Sequence, residues 1–326
     1  MDSLFVKGMT WGWNSRRGDY RTPEAADSLR KLREAGNEWV CLAFAVTQDH
    51  FYSTAIKFDY AHTVTDRDLE CAVREARKLG LKICLKPTVN SRDGLWRAHI
   101  GFPHGEEEAE PYWEAWFKSY TAFLLHYAEL AAEWGCEMFC VGCEMSGTEA
   151  QEARWREAVA AVRRVYPGLV VYNANHGLED RVPWWDAVDV IGTSAYYPVG
   201  RGGDGSEESM VRNWLPVRDR LKRLHERYDR PVLFMEIGCR SAEGCSAMPW
   251  DFKHRDLPAR QEEQAAFYRS ALRVFWHEPW FAGFFWWDWS VKLYDAGEAA
   301  LDRGFDIYGK EAERVLRIWY EGEGGR

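Results

Sequence analysis

Two glutamates stand out because each follows a short apolar run with the length and composition of a strand. Met138-Phe139-Cys140-Val141-Gly142-Cys143 leads into Glu144, and Val232-Leu233-Phe234-Met235 leads into Glu236. A carboxylate at the tip of a buried strand is partly desolvated, so its proton affinity is open to tuning by its neighbours. Two such groups facing one another can divide the roles of acid and nucleophile. One protonates a departing oxygen while the other attacks an anomeric carbon, chemistry that needs the carboxyl groups about 5 to 5.5 Å apart. Either glutamate alone reads equally well as a helix cap or an ion-pair partner in the following loop, and it is the pair that carries the reading.

Residues suited to gripping a sugar accompany them. The run Phe285-Trp286-Trp287-Asp288-Trp289 puts Trp287 and Trp289 on one face under strict alternation, with Trp286 on the other. One set can floor a sugar subsite. Ser194-Ala195-Tyr196-Tyr197-Pro198 offers a phenol able to hydrogen-bond a nucleophilic carboxylate. Lys86 and Asn90, with Arg92, Asp93, Trp96 and Arg97 just beyond, supply polar groups for sugar hydroxyls, as do Asn173, Asn175 and His176. Trp13 is a further aromatic candidate for the same cleft.

Composition agrees with this chemistry and excludes other kinds. The 326 residues include 18 Trp, 15 Tyr and 16 Phe, an excess of flat side chains, and the net charge of −9 provides no positive field for nucleic acid or anionic lipid. No cofactor or metal is expected: there is no H-E-x-x-H and no G-x-x-x-x-G-K-[ST]. Cys140 and Cys143 form a C-x-x-C, but on a regular strand their side chains point to opposite faces. Cys239 and Cys245 lie close enough in sequence to approach one another. Eight scattered cysteines in apolar surroundings read as buried thiols in a reducing compartment. With no basic-then-apolar leader and no run of about 18 apolar residues, a cytoplasmic protein is expected.

What must position these groups is a repeated unit. Strands are expected at Phe5–Met9, Trp39–Ala45, Leu81–Pro87, Met138–Cys143, Val170–Asn173, Val188–Ser194, Pro231–Met235 and Ala282–Trp287. Helices are expected at Pro23–Ala35, Asp66–Leu79, Pro111–Trp134, Ala150–Val165, a short one at Asp180–Asp186, then Ser206–Tyr228, Ala259–His277 and Lys310–Tyr320. Thr22-Pro23-Glu24 is a helix start, and Gly36, Gly80, Gly135 and Gly168 are expected left-handed helix ends. The acidic run Glu106, Glu107, Glu108 and Glu110 reads as a solvated loop at a helix entrance, and Gly200–Gly205 as a mobile rim loop. Eight strand-then-helix units without a linker make an α/β fold, a single (β/α)₈ TIM barrel spanning residues 1–326 as one domain. Strands four and seven lie on roughly opposite sides of such a ring, so their tips can face across its mouth.

Several motifs, in order, then add a family. GMTWGWNSR, TPEAADSLRKLREAGNEWVCL, TVTDRDLECAVREARKLGLKICLKP, DGLWR, FCVGCEM, DVIGTSAYYP, LFMEIG and FFWWDW together resemble glycoside hydrolase family 113, retaining β-mannanases built on a (β/α)₈ barrel. The resemblance implies that Glu144 is the general acid/base and Glu236 the nucleophile. It implies that Tyr196 is the tyrosine beside the nucleophile, that Trp289 with Trp287 supports the sugar next to the cleaved bond, and that Lys86, Trp96, Arg97 and Asn175 line the cleft. The expected activity is endo-β-1,4-mannanase on mannan or manno-oligosaccharides, with an exo-acting β-mannosidase or β-glucosidase, or a non-catalytic sugar-binding barrel, as alternatives. Two departures are visible: Thr88 and Asn90 stand where the third strand usually carries histidine and an acid, and Cys143 stands where many clan members place asparagine.

Overall fold

Residues 39 to 44 already contain the plan of the molecule. Trp39, Cys41 and Ala43 fall in one buried cluster while Val40, Leu42 and Phe44 fall in another that also holds helix residues such as Leu29, Leu69 and Tyr127. Alternation along a strand with both faces covered produces two apolar layers, one inside a ring of strands and one between ring and helices. The computed structural model describes residues 4–59, 63–102, 105–201, 205–254 and 256–323. Its strands are β1 (Val6–Trp11), β2 (Trp39–Gln48), β3 (Lys82–Ser91), β4 (Met138–Cys143), β5 (Leu169–Asn175), β6 (Val190–Ser194), β7 (Val232–Ile237) and β8 (Phe281–Trp289). They pair in sequence order, all parallel, and β8 closes onto β1.

Around the barrel lie α1 (Pro23–Glu34), α2 (Asp66–Lys78), α3 (Glu106–Glu133), α4 (Glu152–Val165), α5 (Glu207–Tyr228), α6 (Gln261–Phe275) and α7 (Glu311–Ile318). Local signals account for several of their ends. The Thr22 hydroxyl accepts from Ala25 N–H with Pro23 at the first helical position, and Thr65 and Asp68 form a reciprocal cap on α2. Gly36, Gly80 and Gly135 take φ of 91°, 71° and 66° where helices stop. Gly168 does not: α4 ends on extended Tyr166, and a Cβ on Gly168 would meet the Tyr166 hydroxyl at 2.4 Å, so close packing rather than a left-handed turn requires glycine there.

Two other expectations are corrected. The acidic run at 106–110 is the first stretch of α3 rather than a loop before it, carboxylates suiting a helix start, and Pro111, in the second turn, costs the helix the one bond its nitrogen would have made to the Glu107 carbonyl. Between β5 and β6 two 3₁₀ turns, Glu179–Arg181 and Trp185–Ala187, replace the helix expected at 180–186. Pro183 interrupts that segment, and the buried Trp184 and Trp185 indoles donate to the carbonyls of Glu149 and Glu179. Of the Gly200–Gly205 stretch, residues 202–204 lie outside the described residues.

Bulges near the mouth re-aim three strands. On β4, Cys140 and Cys143 pair with Val171 and Asn173, three steps against two. On β7, Phe234 and Ile237 pair with Phe284 and Trp286, and on β8, Trp286 and Trp289 pair with Met9 and Trp11. Each extra residue reverses the alternation beyond it. Gly142 permits the first: its Cβ would lie 2.8 Å from the Tyr172 ring and 2.9 Å from Trp155. Connections entering the strands are short, whereas those leaving them, such as 238–260 after β7, are long, which places adaptable chain at one end of the barrel. Seven of the eight cysteines are buried, and Cys71 on α2 is partly exposed. Among the described residues no helix is long and apolar enough to cross a membrane.

Candidate active site

The bulges on β4 and β7 bring Glu144 and Glu236 to the barrel mouth. Glu144 takes a left-handed φ of 55°, costly for a residue with a Cβ, while its N–H is held by the Asn173 carbonyl at 2.7 Å. Both carboxylates are buried, at 8% and 7% exposure, so neither relies on water for its charge. Cys143 lies between them. Its Sγ is 3.4 Å from Glu236 Oε1 and 3.9 Å from Arg97 Nη1, and the same Nη1 donates to Glu144 Oε2 at 2.8 Å.

Their surroundings differ. Lys86, fully buried on β3, donates from Nζ to Glu236 Oε1; Tyr196 donates to Oε2 at 3.0 Å, and Asn173 Nδ2 approaches Oε1 at 3.4 Å. Burial alone would push the Glu236 carboxyl up, but the Lys86 charge and hydrogen bond, with Arg97 and Tyr196, outweigh it and hold the group below its ordinary range. Glu144 receives Arg97 and the Trp96 indole N–H, at 3.1 Å to Oε2. Burial and then the Glu236 charge push its carboxyl up, and Arg97 only partly offsets them. One carboxyl is thus biased to hold a proton and the other to lose it.

Aromatic rings complete one wall. Trp13 and Trp287 meet edge to face at 5.5 Å, the Arg97 guanidinium lies 5.4 Å from the Trp13 ring, and Arg97 Nε reaches Asn90 Oδ1 at 3.1 Å. Among the described residues no group of three or more His, Cys, Asp or Glu is placed to hold a metal ion.

The match to known proteins decides the relationship. A family model described as Glycoside Hydrolase Family 113 matches residues 9–310. The chain belongs to glycoside hydrolase family 113. The β-mannanase AaManA of this family from Alicyclobacillus acidocaldarius, solved in complex with ManMIm, is 44% identical with a TM-score of 0.88, covering 98% of each chain. A second solved structure, a GH113 β-1,4-mannanase, is 40% identical with a TM-score of 0.89, covering 98% of this chain and all of that one. A β-glucuronidase from Faecalibacterium prausnitzii, 15% identical with a TM-score of 0.64 and covering 98% of this chain and 49% of its own, shares the fold alone. No curated protein matches the chain.

Of the residues singled out in this family member's sequence, Glu144, Glu236, Lys86, Asn90, Trp96, Arg97, Tyr196, Trp13 and Trp287 converge in one connected cluster. Asn175 stands at its edge, donating to Ser146 Oγ at 2.9 Å, and His176 lies farther out against Trp250. Trp289 is a correction. The β8 bulge turns it outward with Trp286, leaving it wholly buried 5.7 Å from Tyr308, so it offers no face to a sugar, while Trp287 turns inward. The β4 bulge likewise corrects the expected divergence of Cys140 and Cys143: Cys140 lies in the inner layer and Cys143 points at Glu236. Thr88, one of the family departures, gives its hydroxyl to the Phe44 carbonyl at 2.7 Å rather than to the cleft. The contacts of Cys143 and Asn173 with Glu236 were not foreseen, and no signal in a single sequence reports them.

Proposed function

We propose that the chain is a retaining endo-β-1,4-mannanase acting on mannan or manno-oligosaccharides by double displacement. The single observation that carries the reaction type is the opposed bias of two buried carboxyls joined through Cys143 and Arg97. Glu236, ionised, attacks the anomeric carbon from one face. Glu144, protonated, delivers its proton to the glycosidic oxygen as that bond breaks, leaving a glycosyl ester on Glu236. Glu144, now a carboxylate, takes a proton from water, and the hydroxide equivalent displaces Glu236 with net retention. Proton affinity follows charge: once Glu236 is esterified, its repulsion of the Glu144 carboxylate disappears, which suits Glu144 to its second role as base.

Lys86 and Tyr196 are positioning residues in this reading, fixing the Glu236 oxygens so that attack is not preceded by a search for orientation. Arg97 and Trp96 orient Glu144. Trp287 and Trp13 serve as apolar surface for the sugar at the cleaved bond, and Asn90 and Asn175 as hydroxyl partners. The mannan substrate is supported by family membership and by the names of the two close structural relatives.

The test is twofold. Glu236→Ala should lose at least about 10⁴-fold in kcat with an unchanged circular-dichroism spectrum, and a 2-fluoro-mannosyl inactivator should label the peptide containing Glu236. Label on another acid would reassign the nucleophile. Mannohexaose should give a mixture of short oligomers, whereas mannose as sole product would indicate exo action.

A further inference from the structure

We infer that Trp250, backed by His176, is a sugar-binding platform on the leaving-group side of the cleft, taking a β-linked hexopyranosyl unit beyond the bond that is cleaved. This rests on the glycosidase reading above.

The chain after β7 is long yet firmly tied. Arg240 and Asp251 form a buried ion pair at 2.8 Å, and the Glu263 carboxylate accepts from Gly244 N–H, Ser246 N–H and the Ser246 hydroxyl at 2.9, 3.0 and 2.6 Å. Gly200 N–H donates to the Ser246 carbonyl at 2.9 Å, joining this loop to the one after β6. A segment this well anchored could hide its apolar side chains, and instead Trp250 is 43% exposed. Loops at this end of a barrel carry the binding residues, and an exposed aromatic face on an anchored one is available to a ligand.

The indole is also oriented. It lies nearly parallel to the His176 ring, 5.5 Å away at 19°, and His176 is set edge-on against Tyr197 at 5.6 Å. Burial, with Arg220 and Arg201 nearby, lowers the His176 pKa to about 4, so the ring is neutral and suited to uncharged hydroxyls. Two polar atoms beside the platform, His176 Nδ1 and Asn175 Oδ1, are buried without a hydrogen-bond partner among the described residues, and Asn175 is only 3% exposed. Buried polar atoms left unpaired cost about 1–3 kcal/mol each, and are rare unless a ligand or water completes them.

The side of the cleft follows from connectivity. Trp13 and Trp287 rise from β1 and β8, whereas the platform rises from β5 and β7. Asn175 is bonded to Ser146, two residues beyond Glu144, on the loop of the group that protonates the departing oxygen. A departing chain running past Glu144 toward β5 meets Trp250.

Trp250→Ala is compared with wild type on mannohexaose, whose departing part extends across the platform, and on a nitrophenyl β-mannobioside, whose departing group is one ring. The ratio of kcat/KM for mannohexaose to that for the aryl substrate should fall about tenfold or more, chiefly through KM, with Trp250→Phe recovering most of it. His176→Ala should lower the same ratio. Phe252→Ala, an exposed neighbour outside the platform, should keep the wild-type ratio. An unchanged ratio in Trp250→Ala, or an equal fall in Phe252→Ala, overturns the assignment. If wild type cleaves gluco- and not manno-oligosaccharides, the mannan reading fails on its own, and the same ratio on the cleaved series decides the platform.

Discussion

Two carboxyls of identical chemistry acquire opposite proton affinities because one faces an ammonium and the other is buried beside the negative charge of the first. Lys86 is the largest attractive influence on Glu236, and burial is the largest on Glu144. Activity requires Glu236 ionised and Glu144 protonated, so the acidic limb of kcat/KM should lie below the ordinary glutamate range and the alkaline limb above it. Replacing Lys86 with Met removes the cation that favours ionisation of both groups. The whole bell should move to higher pH, its acidic limb by about one unit or more, with the heaviest loss of rate in acid. A pH profile whose acidic limb stays in place would show that Lys86 does not set the Glu236 charge.

At the level of strands, the irregular steps matter more than the regular ones. The existence and order of the eight strands, and most helix limits, were legible in the sequence because apolar periodicity and caps are local properties. The end of β4 was legible to the residue. Bulges were not, since an extra residue is defined only against a partner strand elsewhere in the sequence, and this is why Trp289 was assigned to the wrong face and Cys140 and Cys143 to opposite ones. Gly142 is the point where the β4 bulge can be tested. Gly142→Ala would press a methyl into Tyr172 and Trp155, so a loss of about 1–3 kcal/mol in denaturant unfolding is expected, with reduced turnover as Glu144 shifts; a neutral result would mean the rings yield easily. The same strand end is braced from behind, where Met145 N–H donates to the Tyr172 hydroxyl and that hydroxyl donates to Glu149 at 2.6 Å. Burial raises the Glu149 carboxyl from 4.5 to about 7. Its folded form binds a proton more tightly than its unfolded form, so the stability contributed by this group is greatest below about pH 4.5 and declines as pH rises to about 7, by roughly 3 kcal/mol in all. Glu149→Gln should flatten that decline and be the more stable protein at pH 8, which urea titrations at both pH values would reveal or contradict.

For the molecule as a whole, chain topology turns residues scattered from position 13 to position 287 into one cleft. The sequence could announce the two glutamates because each ends an apolar run, and the motif series tied them to a family. It could not announce Trp250, whose significance depends on a loop folding back against His176. The distribution of thiols has a practical consequence of another kind. Because Cys71 on α2 alone of the eight is more than marginally accessible, a maleimide fluorophore added to the native protein should attach once, and peptide mass mapping should find it there. The helix that carries it lies on the outer flank of the barrel, so the protein comes with a ready-made handle for single-molecule imaging or oriented immobilisation, leaving the working end open.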